Sequence, residues 1–521
     1  MIGPVADEDE PRVSERRFIA FLAMVFGMFM AILDIQVVSA SLATIQAGLS
    51  ASADEVAWVQ TAYLVAEVVM IPLSGFLSRA FSTRIAFTFS AAGFTLMSLL
   101  CSFSTSIDQL IVWRALQGFI GGGMIPTVFS AAYSIFPRRK TSMIAAIIGL
   151  VATLAPTIGP TIGGCLTDLF SWRWLFLINV GPGIAIALTT WLLVDFDRPE
   201  LRLLRRFDWL GLASMALFLG ALEYLLEEGP AKNWFDDGRI VWAAAISCSG
   251  ALVFFARAFT TENPIVDLRV FDDRNFWTGT LAAFVLGVGL YGLTYVYPIY
   301  LARVRGFSAQ QIGETMFVTG LSQFVAAPIV GRLLTRMDLR LMIGLAFVAF
   351  ASGAAISAGV TQDWGFDQLL VPQILRGFSL MFMMAPINNL ALGALPPARL
   401  KNASGLFNVM RNLGGAFGLA VINTTLDRRF DLHFERLRES LVWGNARAQE
   451  FLAGLAALYG QTGEEARLAA TRRLAALAAR EATVMALADV FLGMSLLFLA
   501  AAGLAVFMRR PAATPPAGAA H

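Results

Sequence analysis

Three of the charged side chains that fall inside apolar stretches of this chain stand out. Asp34 lies within LDIQVVSASLATI, Glu67 near the middle of the second stretch, and Arg114 in LIVWRALQGFIGGGMIP. On insertion scales a charge at the centre of an apolar helix costs about 2.5–3.5 kcal/mol, so each is a functional candidate by default. A buried guanidinium cannot deprotonate; Arg114 must find an anion or line water, and Asp34 and Glu67 are the nearest anions in chain order. Burial favours the neutral form of a carboxylate, whereas an adjacent guanidinium favours the ionised form. Moving one relative to the other therefore loads or releases a proton. Proton coupling by Asp34, Arg114 and Glu67 is the chemistry these residues offer, and a static ion pair that only locks two helices is the plainer reading. Glu67 equally suits recognition of a cationic substrate.

Other polar residues within apolar stretches are candidates to line a substrate cavity: Gln36, Tyr63, Gln117, Asn388, Asn408 and Arg411. Gln117 follows Arg114 by three and shares its helix face. Arg376 and Arg411 could attract an anion or neutralise Glu314 or Asp489, which fall near span ends where solvent reaches a carboxylate.

A different pattern occupies Leu154 to Gly164 (LAPTIGPTIGG). Ala155, Gly159 and Gly163 recur every four residues and form a smooth helical stripe, with Gly164 beside it. Pro156 and Pro160 recur one step round and deprive the carbonyls of Ala152 and Pro156 of their helical partners. A membrane helix tolerates this where neighbours press close, and small residues at this spacing permit the approach. Packing and a hinge or seal are both compatible with the pattern.

Composition states where these elements reside. The 521 residues are 57% hydrophobic and 15% charged, against about 25% charged in soluble proteins. Fourteen apolar runs are long enough to span a bilayer: 18–42, 56–78, 84–105, 108–135, 142–167, 174–194, 209–226, 240–259, 276–302, 309–334, 340–360, 367–394, 403–424 and 487–508. An even number places both termini on one side. Arg and Lys crowd the connections on that side (Arg79 and Arg84; Arg198, Arg202, Arg205 and Arg206; Arg332, Arg336 and Arg340), whereas the opposite short loops hold only Arg173, Lys232, Arg239, Arg303 and Arg305. Positive charge stays inside, so both termini are expected in the cytoplasm. The segment 425–486 is expected to be external and helical, with a capping box at Thr462 to Glu465 leading into the last span.

Several function classes are excluded. Two histidines, His433 and His521, do not support a metal site or His-based catalysis, and Cys101, Cys165 and Cys248 form no CxxC motif. There is no Walker A motif for direct use of ATP, and the dispersed basic residues form no nucleic-acid patch.

The chain also repeats itself. Pro72 to Arg84 (PLSGFLSRAFSTR) resembles Pro328 to Arg340 (PIVGRLLTRMDLR), and Leu116-Gln-Gly-Phe119 resembles Leu375-Arg-Gly-Phe378. Parallel six-span halves follow, with spans 7 and 8 inserted between them. The expected organisation is an N-terminal segment 1–17, a six-helix bundle 18–194, an inserted pair 195–275, a second bundle 276–508 that includes the external loop, and a disordered tail 509–521.

These motifs resemble the major facilitator superfamily, and more closely its fourteen-span drug:proton antiporters of the EmrB/QacA type, over essentially the whole chain. Leu33-Asp34 to Ile45 is similar to that family's span 1 signature LDxTIVNVALPTI, with Gln36 and Ala43 departing from it. Leu110 to Gly122 keeps the Arg, Gln and Gly of the span 4 motif, and Ala155 to Gly164 is similar to the antiporter motif GxxxGPxxGG. The loop after span 2 departs: Arg79 stands where the superfamily motif GxLADRxGRRR has an acid, so the charge relay ascribed to that acid does not carry over. The resemblance implies an all-α integral membrane protein of fourteen transmembrane helices in the bacterial inner membrane. It implies proton-driven export of hydrophobic or amphipathic drugs by alternating access, without a cofactor beyond the proton gradient. The alternative is a dedicated exporter of one metabolite, siderophore, fatty acid or lipid. Lipophilic small molecules, protons and the bilayer are the implied partners, together with a periplasmic membrane-fusion adaptor and an outer-membrane channel; nucleic acid is not. A membrane enzyme is disfavoured because no His, Cys or paired acids cluster at a membrane face.

Overall fold

The computed structural model describes residues 14–39, 41–136, 138–261, 264–393, 395–440, 446–458 and 464–510. The first thirteen residues of the expected N-terminal segment, the tail from 511 and Thr462 of the expected capping box lie outside them.

The described residues form helices and no strand, and fourteen helices are long and apolar enough to cross a membrane. Spans 1 to 7 are Glu15–Ser39, Asp54–Phe81, Thr83–Ser102, Ile107–Ile135, Met143–Leu169, Trp174–Leu193 and Trp209–Glu228. Spans 8 to 14 are Gly238–Thr260, Arg274–Val304, Gln310–Leu333, Leu339–Ser357, Phe366–Leu392, Arg399–Glu439 and Glu464–Phe507.

Local chemistry starts many of them. Ser52 and Glu55 form a capping box at span 2, and Ser308 and Gln311 form one at span 10. Asp208, Asp237 and Asp273 accept backbone N–H bonds at the starts of spans 7, 8 and 9. Span 9 changes character after Pro298, where Tyr300–Val304 winds as a π-helical turn, a form frequent at functional sites.

Spans 1 to 6 pack together, as do spans 9 to 14. The two bundles meet along two seams. At one, span 5 lies against span 10 from Ala146 beside Gly331 to Thr161 beside Gly313. At the other, span 2 meets span 13. Span 7 leans on both span 2 and span 13, and span 8 packs on span 7 through Gly250, whose place against Ser214 and Phe218 leaves no room for a side chain.

The structure differs from the sequence reading beyond the membrane. The segment FDLHFERLRESL is not a separate external helix; one helix runs unbroken from Pro397 to Ser440. The last helix likewise starts at Glu464 and enters span 14 without a break. A hydropathy window ends where the residues turn polar, but a helix's hydrogen bonds run along the backbone and continue through polar sequence. Ala446–Leu458 packs against the span 14 extension. Between the two extensions Asp489 accepts from His433 at 2.8 Å, and Arg429 lies 3.3 Å from it. Asp489 is therefore held by these partners rather than by Arg376 or Arg411, and Glu314 is exposed, where Gln310 donates to it at 3.1 Å.

Candidate functional site

Asp34 and Arg114 form a fully buried ion pair, with Nη1 2.6 Å from Oδ2. Asn179 of span 6 donates to the other carboxylate oxygen at 2.7 Å and Gln117 donates to it at 3.4 Å. Arg114 also donates to Gln117 Oε1 at 2.8 Å and to the Val59 carbonyl at 3.2 Å, and its guanidinium lies 4.1 Å from the centre of the Tyr63 ring. Four spans thus contribute to one charge site. Gly118 makes this possible: a Cβ there would lie 2.3 Å from the Tyr63 carbonyl, so only glycine lets span 4 bring Arg114 against span 2.

Beside this site is a cavity of about 950 Å³ between the bundles. Its walls come from span 1 (Ile35, Gln36, Ser39), span 2 (Gln60, Leu64, Glu67), span 7 (Glu223, Leu226, Glu227), span 9 (Tyr291, Thr294, Tyr295) and span 13 (Asn412, Leu419, Asn423), with Pro160 of span 5. Its rim holds the exposed Ser39, Asp54 and Arg239, on the face opposite the chain termini. Pocket size and mixed apolar and polar walls suit a drug-sized amphipathic molecule.

The face on the side of the termini is closed. A Cβ on Gly75 of span 2 would lie 2.7 Å from the Lys401 carbonyl of span 13. Lys401 donates to the Ser78 carbonyl at 2.9 Å and forms an ion pair with Asp197. Asp197 in turn accepts from the Thr83 N–H at 2.9 Å and the Thr83 hydroxyl at 2.9 Å. Asn402 and Asp267 exchange two further bonds, at 2.7 and 3.1 Å. The acid missing from the loop after span 2 is therefore supplied from after span 6, while Arg79 contributes its carbonyl to Glu200 at 3.1 Å.

Of the residues expected to couple protons, Asp34 and Arg114 come together and Glu67 faces the cavity with Oε1 unpartnered. Among the expected cavity residues, Gln36 lines the cavity, while Tyr63 and Gln117 belong to the ion-pair cluster behind its wall. Asn388, Asn408 and Arg411 are buried outside the cavity lining, with polar atoms that lack hydrogen-bond partners, and Arg411 lies within electrostatic reach of Glu67. On span 13 Asn408 and Arg411 fall between the closed contact at Lys401 and the cavity floor at Asn412.

The small-residue stripe of span 5 packs against span 1. A Cβ on Gly159 would lie 2.4 Å from Gln36 Cβ, one on Gly163 would lie 2.7 Å from the Val37 carbonyl, and Ala155 is fully buried. Pro160 touches the cavity, and the helix runs through both prolines and Gly164 to Leu169.

Three participants escaped the sequence reading. Glu223 carried the signal that singled out Glu67, a carboxylate inside an apolar run. Asn179 carries no charge and Asp197 lies in a loop, so neither had a signal of this kind.

An all-helical membrane protein of two related six-span bundles, with a cavity between them closed at one face, has the architecture of a secondary transporter. The family model of the Major Facilitator Superfamily matches residues 24–419, and the chain belongs to that family. It is 41% identical over 490 residues to the colistin resistance protein EmrB of Acinetobacter baumannii, covering 94% of this chain and 96% of that protein. It is 29% identical over 508 residues to the multidrug export protein EmrB of Escherichia coli K12, covering 97% and 98%. The crystal structure of the human organic anion transporter MFSD10 shares the fold, with a TM-score of 0.60 at 13% identity over 95% of this chain and 100% of that one.

Proposed function

We propose that this chain exports hydrophobic or amphipathic compounds across the bacterial inner membrane by proton-driven antiport. Its likeness to the multidrug export protein EmrB supports multidrug export, and the buried Asp34–Arg114 pair beside the cavity is the observation that carries the coupling. A guanidinium and two amide donors around an aspartate favour its ionised form. Separation from them favours protonation. Substrate binding and bundle movement supply that separation, so a proton is taken up on one side and released on the other.

The positive residues near the termini support a cytoplasmic position for both ends. The cavity then opens outward and the Lys401–Asp197 contact closes the cytoplasmic face. In the opposite state the closed half of the seam opens, and the unpartnered polar atoms of Asn388, Asn408 and Arg411 join the lining. Each transported proton supplies about 2.3 kcal/mol per 100 mV of membrane potential, so no further cofactor is required. The helical extensions of spans 13 and 14 offer a surface for a periplasmic adaptor that connects to an outer-membrane channel.

The test is proton release in acid-loaded everted vesicles. Addition of a lipophilic drug is expected to dissipate the pH gradient with the wild-type chain and not with Asp34→Asn. Equal dissipation by that variant would remove Asp34 from the mechanism.

A further inference from the structure

The inserted spans 7 and 8 lie outside the repeated bundles, and nothing in the motifs gives them a task. Their placement does. On the side of the termini spans 2 and 13 touch directly, and a Cβ on Gly405 would lie 3.2 Å from the Ile71 carbonyl. Further out the same two helices border span 7 instead. On span 2, Trp58 stacks on Tyr224 with ring centres 5.4 Å apart, Thr61 donates to Glu228 at 3.0 Å, and Val65 and Val69 face Gly220. On span 13, about 16 Å beyond Gly405 at the helical rise, Ala416 and Ala420 pack with Leu222, Leu225, Leu226 and Trp234. Span 7 thus fills the wedge that opens between the bundles at this seam. The other seam needs no insert, because spans 5 and 10 stay in contact as far as Gly313, where a Cβ would lie 2.5 Å from Thr161.

Two sides of span 7 differ. Glu223, Glu227 and Glu228 line the cavity, whereas Leu210 and Leu217 are 56% and 55% exposed. Carboxylates inside a membrane span face protein or water rather than hydrocarbon, so the first side belongs to a wet cavity and the second to lipid. The helix is tied down at its outer end. After Gly229 the chain turns through Asn233 and Trp234, whose φ angles of 51° and 59° are left-handed. A bulky residue holds that conformation where its surroundings enforce it. Here the Trp234 N–H donates to the Gly229 carbonyl at 2.8 Å, and its indole Nε1 reaches across to donate to Thr424 Oγ1 of span 13 at 2.8 Å.

We propose that span 7 is the lateral wall of the substrate path, latched to span 13 by Trp234, and that it directs substrate out along the axis into water rather than sideways into the outer leaflet. The proposal deepens the export reading and rests on it. With the seam of spans 5 and 10 closed as well, the rim at Ser39, Asp54 and Arg239 is the exit.

The test uses the purified full-length protein in lipid nanodiscs, with the exposed Cys165 and Cys248 changed to Ser. A nitroxide is attached through Leu419→Cys in the cavity lining, or through Leu217→Cys on the lipid side. Spin relaxation then reads collisions with oxygen, which concentrates in hydrocarbon, and with a nickel chelate, which stays in water. The label at position 419 is expected to meet nickel often and oxygen seldom, and the label at 217 the reverse. Trp234→Ala is expected to raise oxygen collision at 419 to the level at 217, and Thr424→Val, which removes only the acceptor, to raise it part of the way. Equal oxygen collision at the two positions without either change overturns the wall, and so does infrequent collision with both reagents at 419. An unchanged oxygen value in Trp234→Ala overturns the latch; where that variant is not recovered folded, an unchanged value in Thr424→Val does so instead. Gradient dissipation in liposomes is read separately. Dissipation by drugs beside an oxygen-exposed cavity overturns the wall and leaves export standing. A cavity open to nickel and shielded from oxygen, without dissipation by any compound, removes the export reading and keeps the wall.

Discussion

Arg114 in the first bundle has a carboxylate; Arg376 in the second has a threonine. Both are fully buried on the fourth helix of their half, and both lie over a tyrosine, Tyr63 at 4.1 Å and Tyr297 at 5.6 Å. Arg114 is neutralised by Asp34 and backed by Gln117 and Asn179. Arg376 donates to Thr294 of span 9 and, at 3.5 Å, to Gln373, and its Nε has no partner. The repeat has exchanged order as well: Arg precedes Gln by three in span 4, and Gln precedes Arg by three in span 12. One half holds an arginine paired with a buried carboxylate and the other a positive charge without one, behind the cavity wall at Thr294. On the proposed antiport reading, two bundles of common architecture divide the work of coupling unequally.

The strongest way to break this comparison is Asp34→Asn. Asn retains a side-chain oxygen for Asn179 and Gln117 but takes no proton. Drug-driven proton release is expected to vanish while the protein is still recovered as a monodisperse species by size-exclusion chromatography; full release would make the second bundle the coupling half. Next comes paired neutralisation. Arg114→Gln orphans the buried Asp34 and is expected to cost about 3–5 kcal/mol, the range for breaking a buried ion pair. Arg376→Gln orphans only neutral groups and is expected to cost about 1–3 kcal/mol. Thermal unfolding of the two variants in one detergent measures the difference, and equal losses would show that the carboxylate does not distinguish the two sites.

A smaller effect is expected at the closed seam. Gly75→Val places a branched side chain where even a Cβ meets the Lys401 carbonyl at 2.7 Å, so spans 2 and 13 separate. Spin labels on those helices are expected to report a population shift toward the form open on the terminal side, with unfolding temperature changed less than in Arg114→Gln. An unchanged distance distribution would show that the seam can close around the added volume.

The smallest effect concerns Asp338, in the turn between spans 10 and 11. The side chain of Arg340 holds this carboxyl well below the usual carboxylate range, aided by Arg510. A folded-state pKa depressed below the unfolded one contributes stability above the unfolded value, lost only as pH falls through the folded value. The contact is therefore expected to survive at pH 5. Asp338→Asn should lower the unfolding temperature slightly at pH 7, and by the same amount at pH 5; a difference that disappears at pH 5 would place the titration higher.

Legibility followed the kind of signal. Asp34, Glu67 and Arg114 stood out because charge is conspicuous against an apolar background, and the span 5 stripe because helical periodicity turns sequence spacing into one face. The pairing of Asp34 with Arg114 was legible as a candidate beside Glu67; the Val59 carbonyl and the Tyr63 ring that flank the guanidinium were not, since they depend on Gly118 letting span 4 approach span 2. Neither was the assistance of Asn179, a neutral residue 81 positions from Ser98, which it also contacts. Asp197 was hidden by its loop, although it supplies the acid whose absence after span 2 was plain in the sequence.

Sequence by itself determined the fourteen spans, the two related halves and the burial of Asp34, Glu67 and Arg114, because hydropathy and helical period are local properties of a chain in a bilayer. Tertiary structure alone decided which of those charges meet. It closed one face with Lys401 and Asp197, opened the other into a cavity, and set span 7 so that Glu223 lines that cavity with Glu67. Those outcomes depend on how closely helices approach, and that is settled residue by residue where a glycine admits a neighbouring backbone.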